Sequence, residues 1–527
     1  MDLAVTLFTV AAALGASWLR MGAALLLSIG FSLAVGVAAA TNRYLERVII
    51  PVLDILQSIP ILGFFPLALA FFYRLSPLIG GELAAVFLVF TSQVWNITFA
   101  VYESTKVIGT ELLDTARALR MNLLDRFRYI YVPATFPRIT QNLQPSWANG
   151  IFFLVGSEII SFGEEEVKLF GLGTVVSDFT VNGDIIGVGL TLLLLVAATV
   201  ATNLLVFTPL IEATQPQWRP VGRFTSLVYP LRRLFGGAVR TVRIQPLLAF
   251  AEYHTPVTGL VKKLSPLSSI ARGLAFFVTG GVVLGLIVSG GETLLARIAL
   301  FTSTLNQIGV ETLGLATFYS LLRVSAAVCF ALAWSVPASI LIAHSKRFST
   351  MIPTLFQVIA SIPATIVYPI FANTLADFPE LRAFILVVAA SQWYVFFQVL
   401  AGVRGVPVVE EDVSRLLGLS FAERVRFVYL PRALPSLITG CITAAGGAWN
   451  ALVVAERLDL GNVVAETELP GLGKLLSIYT YEGNLAASVV VITVMASVIV
   501  LMNRLFWKAL YAYAVSKLKI EETGQSR

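Results

Sequence analysis

Long apolar runs broken by short polar stretches recur along the whole chain. Gly22–Ala40, Leu190–Leu210, Gly273–Val288, Ala383–Gly402 and Ala486–Met502 are examples, and a helix needs roughly 20 such residues to cross a bilayer's hydrocarbon core. The pattern predicts an all-α polytopic membrane protein. In the C-terminal part, spans are expected near 273–292, 313–343, 353–375, 382–403, 436–456 and 486–510. The N-terminal part has five clear spans plus Asp2–Leu19, which is short for a sixth, so 11 or 12 helices are expected in total. Met1 to Ala40 lacks the basic start and small-residue cleavage site of a secretory signal, which predicts a retained helix.

The polar positions repeat. Ser58-Ile59-Pro60, Pro66 and Arg20 recur 303 residues on as Ser361-Ile362-Pro363, Pro369 and Arg323. Asp114, Arg117, Leu119, Arg128, Tyr131, Pro133, Pro137 and Glu158 recur 298 residues on, ending at Glu456. Gly171-Leu172-Gly173 returns as Gly471-Leu472-Gly473, and Ser92-Gln93 as Ser391-Gln392. So many pairs in order indicate a duplication. Its halves lie at 1–215 and 273–527, joined by a linker at 216–272. An even number of spans per half gives both halves one orientation, about an axis along the membrane normal.

Composition agrees: 57% of the 527 residues are hydrophobic and 13% charged, with a mean hydropathy of +0.83, where soluble domains carry about 25% charged residues. Charge adds orientation. From Gln217 to Arg272 there are nine basic residues and one acidic one, Glu252, which marks a cytoplasmic loop rather than a nucleic-acid surface. Ser161–Ile185 carries Glu164, Glu165, Glu166, Asp178 and Asp184 against Lys168 and is placed outside the membrane. Cys329 and Cys441 lie in apolar segments, and His254 and His344 are far apart, so neither a disulfide framework nor a metal centre is expected.

Each half also contains one amphipathic interruption, from Glu111 to Pro137 and from Glu410 to Pro435. Leu112, Leu113, Ala116 and Leu119 have helical spacing, as do Val409, Val413, Leu416 and Leu417. Asn122 with Asp125, and Ser420 with Glu423, then sit where an N-cap and its third-position acid belong, the second pair as a capping box. The following helix is expected to break or bend at Val132-Pro133 and Leu430-Pro431. A short helix of this kind suits docking in a groove. The plainer alternative, an interfacial helix among headgroups, is weakened by its occurrence twice at one spacing.

These stretches resemble the EAA loop of binding-protein-dependent ABC-importer permeases. The second reads Asp412-Val413-Ser414-Arg415, Leu417-Gly418-Leu419, Val428, Leu430-Pro431, and the first Asp114-Thr115-Ala116-Arg117, Leu119-Arg120-Met121, Ile130, Val132-Pro133. The Ser-Ile-Pro segments, the Ser157-Glu158 and Ala455-Glu456 pairs and the Gly-Leu-Gly loops are similar to the nitrate/sulfonate/bicarbonate branch. The resemblance covers nearly all of both halves. It implies the type I importer fold, a multi-pass place in the plasma or inner membrane, and transport of a small oxyanion. It also implies that the two loops dock on separate cytoplasmic ATPase subunits, two per chain, and that a substrate-binding protein serves the outer face. Arg120 departs from the family glycine, whose left-handed turn costs another residue about 1 kcal/mol; either Arg120 bears that cost or Asn122 takes the turn instead.

No phosphate-binding G-x-x-x-x-G-K-[ST] loop and no catalytic cluster occurs in the sequence, so neither ATP hydrolysis nor a cofactor is assigned to this chain. Pathway candidates are the Ser58/Pro60 and Ser361/Pro363 segments, where proline either frees backbone groups to line a cavity or only kinks a helix. Gln93, Trp95, Asn96, Gln392 and Trp393 are polar or amphipathic residues in apolar helices and should face the interior. Glu158 and Glu456 are either functional carboxylates or partners of a helix end or an arginine. An ion-gradient-driven secondary transporter is the rival reading, and it leaves the twin loops unexplained.

Overall fold

A computed structural model describes residues 3–57, 59–159, 169–214, 294–345, 348–360, 364, 371, 374–459, 464–507 and 509–511. The linker 216–272, the expected span 273–292, Glu164–Glu166, Ser58, Ser361 and Pro363 lie outside them, as does much of 361–373. Among the described residues, seven helices are long and apolar enough to cross a membrane: Ala4–Thr41, Gly80–Lys106, Ile185–Ile211, Val310–His344, Pro379–Arg404, Phe421–Glu456 and Leu485–Tyr511. The N-terminal apolar stretch is thus one long helix, not a short candidate beside a second one. The chain is an all-α polytopic membrane protein.

The described chain forms two compact units. The first gathers Met1–Gln57, Glu82–Leu154 and Leu190–Gly280, the second Ser58–Gly81, Val155–Gly189 and Gly281–Arg527. In the first unit, helix Leu3–Thr41 lies on helix Gly80–Lys106 along a stripe of small residues. Ser28 Oγ donates to Phe90 O at 3.3 Å, Ser32 and Thr98 hydroxyls meet at 2.8 Å, and a Cβ on Gly36 would come within 2.8 Å of Val101. Lipid competes for apolar contact as well as leucine does, so close backbone approach and interhelical hydrogen bonds have to hold such helices together.

The second unit uses the same device. Ser339 Oγ donates to Phe396 O at 3.0 Å, and Gly402, Gly440 and Gly447 let helix Leu430–Glu456 approach helix Pro379–Arg404 closely enough that added Cβ atoms would lie about 3 Å from Ser436, Val395 and Tyr394. Trp334 stacks on Phe396 (5.7 Å, 11°), with Phe356 and Trp393 edge-on or tilted around them. Helix Ile61–Leu75 also belongs to this unit; its first amide donates to Asn450 Oδ1 at 2.6 Å, and Gly63 faces Leu476. A two-stranded hairpin, Arg457–Asp459 with Val464–Glu466, follows Glu456 and was not expected from the pattern.

The expected helix break at Pro133 and Pro431 does not occur. Each proline opens or nearly opens a long helix, Val132–Ile159 or Leu430–Glu456, that continues from a five-residue π-helical segment, Phe127–Tyr131 or Val425–Tyr429. The wider turn removes the need for the amide that proline lacks, so the helix runs on.

Candidate functional site

The two amphipathic loops have one geometry. Helix Thr110–Ala118 ends with Leu119, and helix Val408–Leu416 with Leu417. The next residues, Arg120 and Gly418, are left-handed at φ 53° and 70°. Arg120 N donates to Arg117 O at 3.0 Å and Met121 N to Ala116 O at 3.0 Å; Gly418 N donates to Arg415 O at 3.0 Å and Leu419 N to Ser414 O at 3.1 Å. Those paired bonds are the Schellman closure of a helix C-terminus. Arg120 therefore bears the turn itself. Asn122 does not take it over: at φ −70° it caps the next helix, accepting from Asp125 N at 2.7 Å. Ser420 does the same for Glu423, whose carboxylate accepts from Ser420 N at 2.8 Å and completes the capping box.

The loops bury little. Ala116 and Ser414, matching positions, are each 2% exposed. Leu119 and Leu417 are 70% and 71% exposed, and Leu112, Leu123, Val408, Val409, Val413 and Leu416 also stand out of the fold. Local ion pairs hold the helices: Arg117 with Asp114 at 2.6 Å, Arg415 with Glu411 at 2.5 Å, and Arg432 with Glu410. Exposed pairs of this kind add little stability, so their use lies in fixing which side chains project.

At the far end of the Pro379–Arg404 helix from that loop lies a buried network. Glu456 is fully buried and accepts at one oxygen from Ser320 Oγ and Arg323 Nη1, both at 2.8 Å, and at the other from Lys474 N at 3.1 Å. Ser320 Oγ also accepts from Leu472 N at 2.9 Å, so the first turn of helix Leu472–Tyr481 is capped by two side chains. Arg323 further grips Glu380 bidentately at 2.8 and 2.9 Å and donates to the carbonyls of Leu469 and Pro470. In the first unit, Arg20 holds Glu82 bidentately at 2.6 Å. In the second unit, Glu158 accepts from Gly173 N at 2.8 Å. Both glutamates thus meet a helix end, and Glu456 an arginine as well, the two plainer readings of the sequence.

The Gly-Leu-Gly loops have the same cause. A Cβ on Gly171 would lie 2.2 Å from the Glu158 carboxyl, and one on Gly471 2.1 Å from that of Glu456. Gly471 has an extended backbone, φ −162°, so the glycine serves the approach of the carboxylate and not an unusual turn. Beyond this network, Glu466 bridges Arg457 at 2.5 Å and Lys474 at 3.3 Å. Burial alone would raise its carboxyl, but Lys474 and Arg457 hold it below the ordinary value.

The pathway candidates separate. Pro60 is buried ahead of helix Ile61–Leu75. Gln93 is fully buried, its amide nitrogen 3.9 Å from Met21 Sδ, while Trp95, Asn96, Gln392 and Trp393 are only half-buried. Sequence reasoning missed Glu82, Glu380, Ser320 and Asn450. The first two occupy matching positions 298 apart near the start of a span, which is the signal that could have found them. No group of three or more His, Cys, Asp or Glu placed to hold a metal occurs among the described residues.

Comparison with known proteins adds a further line. The family described as "binding-protein-dependent transport system inner membrane component" matches twice, over residues 28–209 and 335–515. The nitrate import permease protein of Synechocystis sp. is 31% identical over 146 residues, 28% of this chain and 53% of that protein. The bicarbonate transport system permease protein of Synechococcus elongatus is 26% identical over 162 residues, 30% of this chain and 56% of the relative. A putative aliphatic sulfonates transport permease protein of Bacillus subtilis is 30% identical over 119 residues, 23% and 43%. The chain spans about half the length of the curated relatives it matches.

Proposed function

This chain belongs to the family of binding-protein-dependent transport system inner membrane components, and from that premise we propose that it is the permease of an ATP-binding-cassette importer, supplying both halves of one translocation pathway. ATP hydrolysis then falls to separate cytoplasmic subunits, two per chain, which receive the loops at Asp114–Met121 and Asp412–Leu419. A substrate-binding protein delivers the solute at the opposite face. The observation that carries this is the pair of loops: two Schellman-closed helices with exposed leucines at matching positions, 298 residues apart. An apolar, locally braced helix left uncovered is suited to a groove on a partner.

We assign a small oxyanion as the solute, on the strength of relatives named for nitrate, bicarbonate and sulfonates. Gln93, Trp95, Asn96, Gln392, Trp393 and the Pro60 segment are the pathway candidates. Glu158 and Glu456 act as braces, since their carboxylates are already occupied by helix amides. Co-expression with candidate ATPase subunits tests the reading, with and without deletion of Glu410–Ser420 and with charge reversal at Arg415. Loss of co-purification on deletion is expected. Full retention would place docking elsewhere, and no binding by the intact chain would favour an ion-gradient-driven transporter.

A further inference from the structure

Beside the Arg323 network lies an arginine with no counter-charge among the described side chains. Arg382 is 3% exposed, in the first turns of the Pro379–Arg404 helix. Its Nη2 donates to the Glu466 carbonyl at 2.8 Å, while its Nε is buried with no hydrogen-bond partner. It forms no ion pair with any described side chain, and the carboxylates of Glu380, Glu456 and Glu466 pair with other cations. Glu380 and Glu456 serve Arg323, and Glu466 serves Arg457 and Lys474.

One carbonyl bond satisfies one of the five N–H donors of a guanidinium and neutralises none of its charge. An ion removed from water without a partner costs several kcal/mol, and a cation near a helix N-terminus also faces the positive end of the helix dipole. An anion at the guanidinium would relieve all three. The matching position of the first half is Ala84, also buried, so the duplicated sequence does not need a cation there for packing.

We propose that Arg382 holds a small inorganic anion, of nitrate or chloride size, between the start of the Pro379–Arg404 helix and the strand Val464–Glu466. The site stands on the missing counter-charge and is independent of what the chain transports. There is one per chain, because only the second half carries the arginine.

The test is thermal unfolding of the purified full chain in lipid nanodiscs, with sodium nitrate or sodium chloride titrated against sodium gluconate at constant ionic strength. A saturable rise in the midpoint with the small anions, absent with gluconate, is expected for the wild type. Arg382→Ala, which copies the first half, should lose the rise and start from a midpoint no lower than that of the anion-free wild type. If Arg382→Ala does not fold, Arg382→Lys should keep the response and Arg382→Gln lose it. No saturable response in the wild type, or an undiminished one in the neutral variants, would overturn the site.

Discussion

Arg120 and Gly418 make the same left-handed turn, φ 53° and 70°, at matching positions of the two halves. Only the glycine does so without steric cost. Arg120→Gly should stabilise its turn by about 1 kcal/mol. The readout is hydrogen exchange: the Met121 amide, bonded to Ala116 O, should gain about fivefold protection. Gly418→Ala should cost the Leu419 amide a similar factor. Unchanged exchange in both variants would show that the turn is held from elsewhere.

The exposed leucines give a second test. Leu119→Asp and Leu417→Asp alter side chains that are 70% and 71% exposed, so the chain should fold as before. Affinity for an ATPase subunit should fall about tenfold or more for each, as for an apolar anchor removed from an interface. Co-purification at wild-type levels with both leucines replaced would sink the docking surface.

Glu456 and Gly471 should be coupled. Glu456→Ala removes a buried partner of Arg323 and the cap of helix Leu472–Tyr481, at about 3 kcal/mol. Gly471→Ala places a Cβ 2.1 Å from that carboxylate and should also destabilise. In the Glu456→Ala background the same glycine change should cost much less. Additive losses in denaturant unfolding would mean that the glycine is needed for another reason.

Glu466 predicts a pH dependence. Its folded carboxyl lies below the ordinary value because Lys474 and Arg457 outweigh burial. A group depressed in this way contributes stability above its unfolded titration range and loses it as pH falls through the folded value. Being partly exposed, it is worth on the order of 1 kcal/mol or less. The gap in unfolding midpoint between wild type and Glu466→Gln should therefore be present at neutral pH and close in acid. A constant gap would assign the effect to packing.

The described spans expected near 313–343, 382–403, 436–456 and 486–510, the duplication and the caps at Asn122 and Ser420 were legible because each is written in local period or spacing. The partners of Arg20 and Arg323 were not, since Glu82 and Glu380 lie 62 and 57 residues away on other helices. Of the break or bend expected at the prolines, the break does not occur, because in both halves a π-helical segment precedes the proline and the helix runs on. Gly-Leu-Gly was visible as a repeat, yet its cause was hidden until the Glu158 and Glu456 carboxyls stood against it.

An assembly of two identical subunits inherits every mutation twice, so any novelty must suit both sides of its axis. Fusion of the halves lifts that constraint. Arg382 where the first half has Ala84, and Arg120 where the second has Gly418, are one-sided differences of the kind that such freedom allows, and either half can be engineered while the other stays as it is.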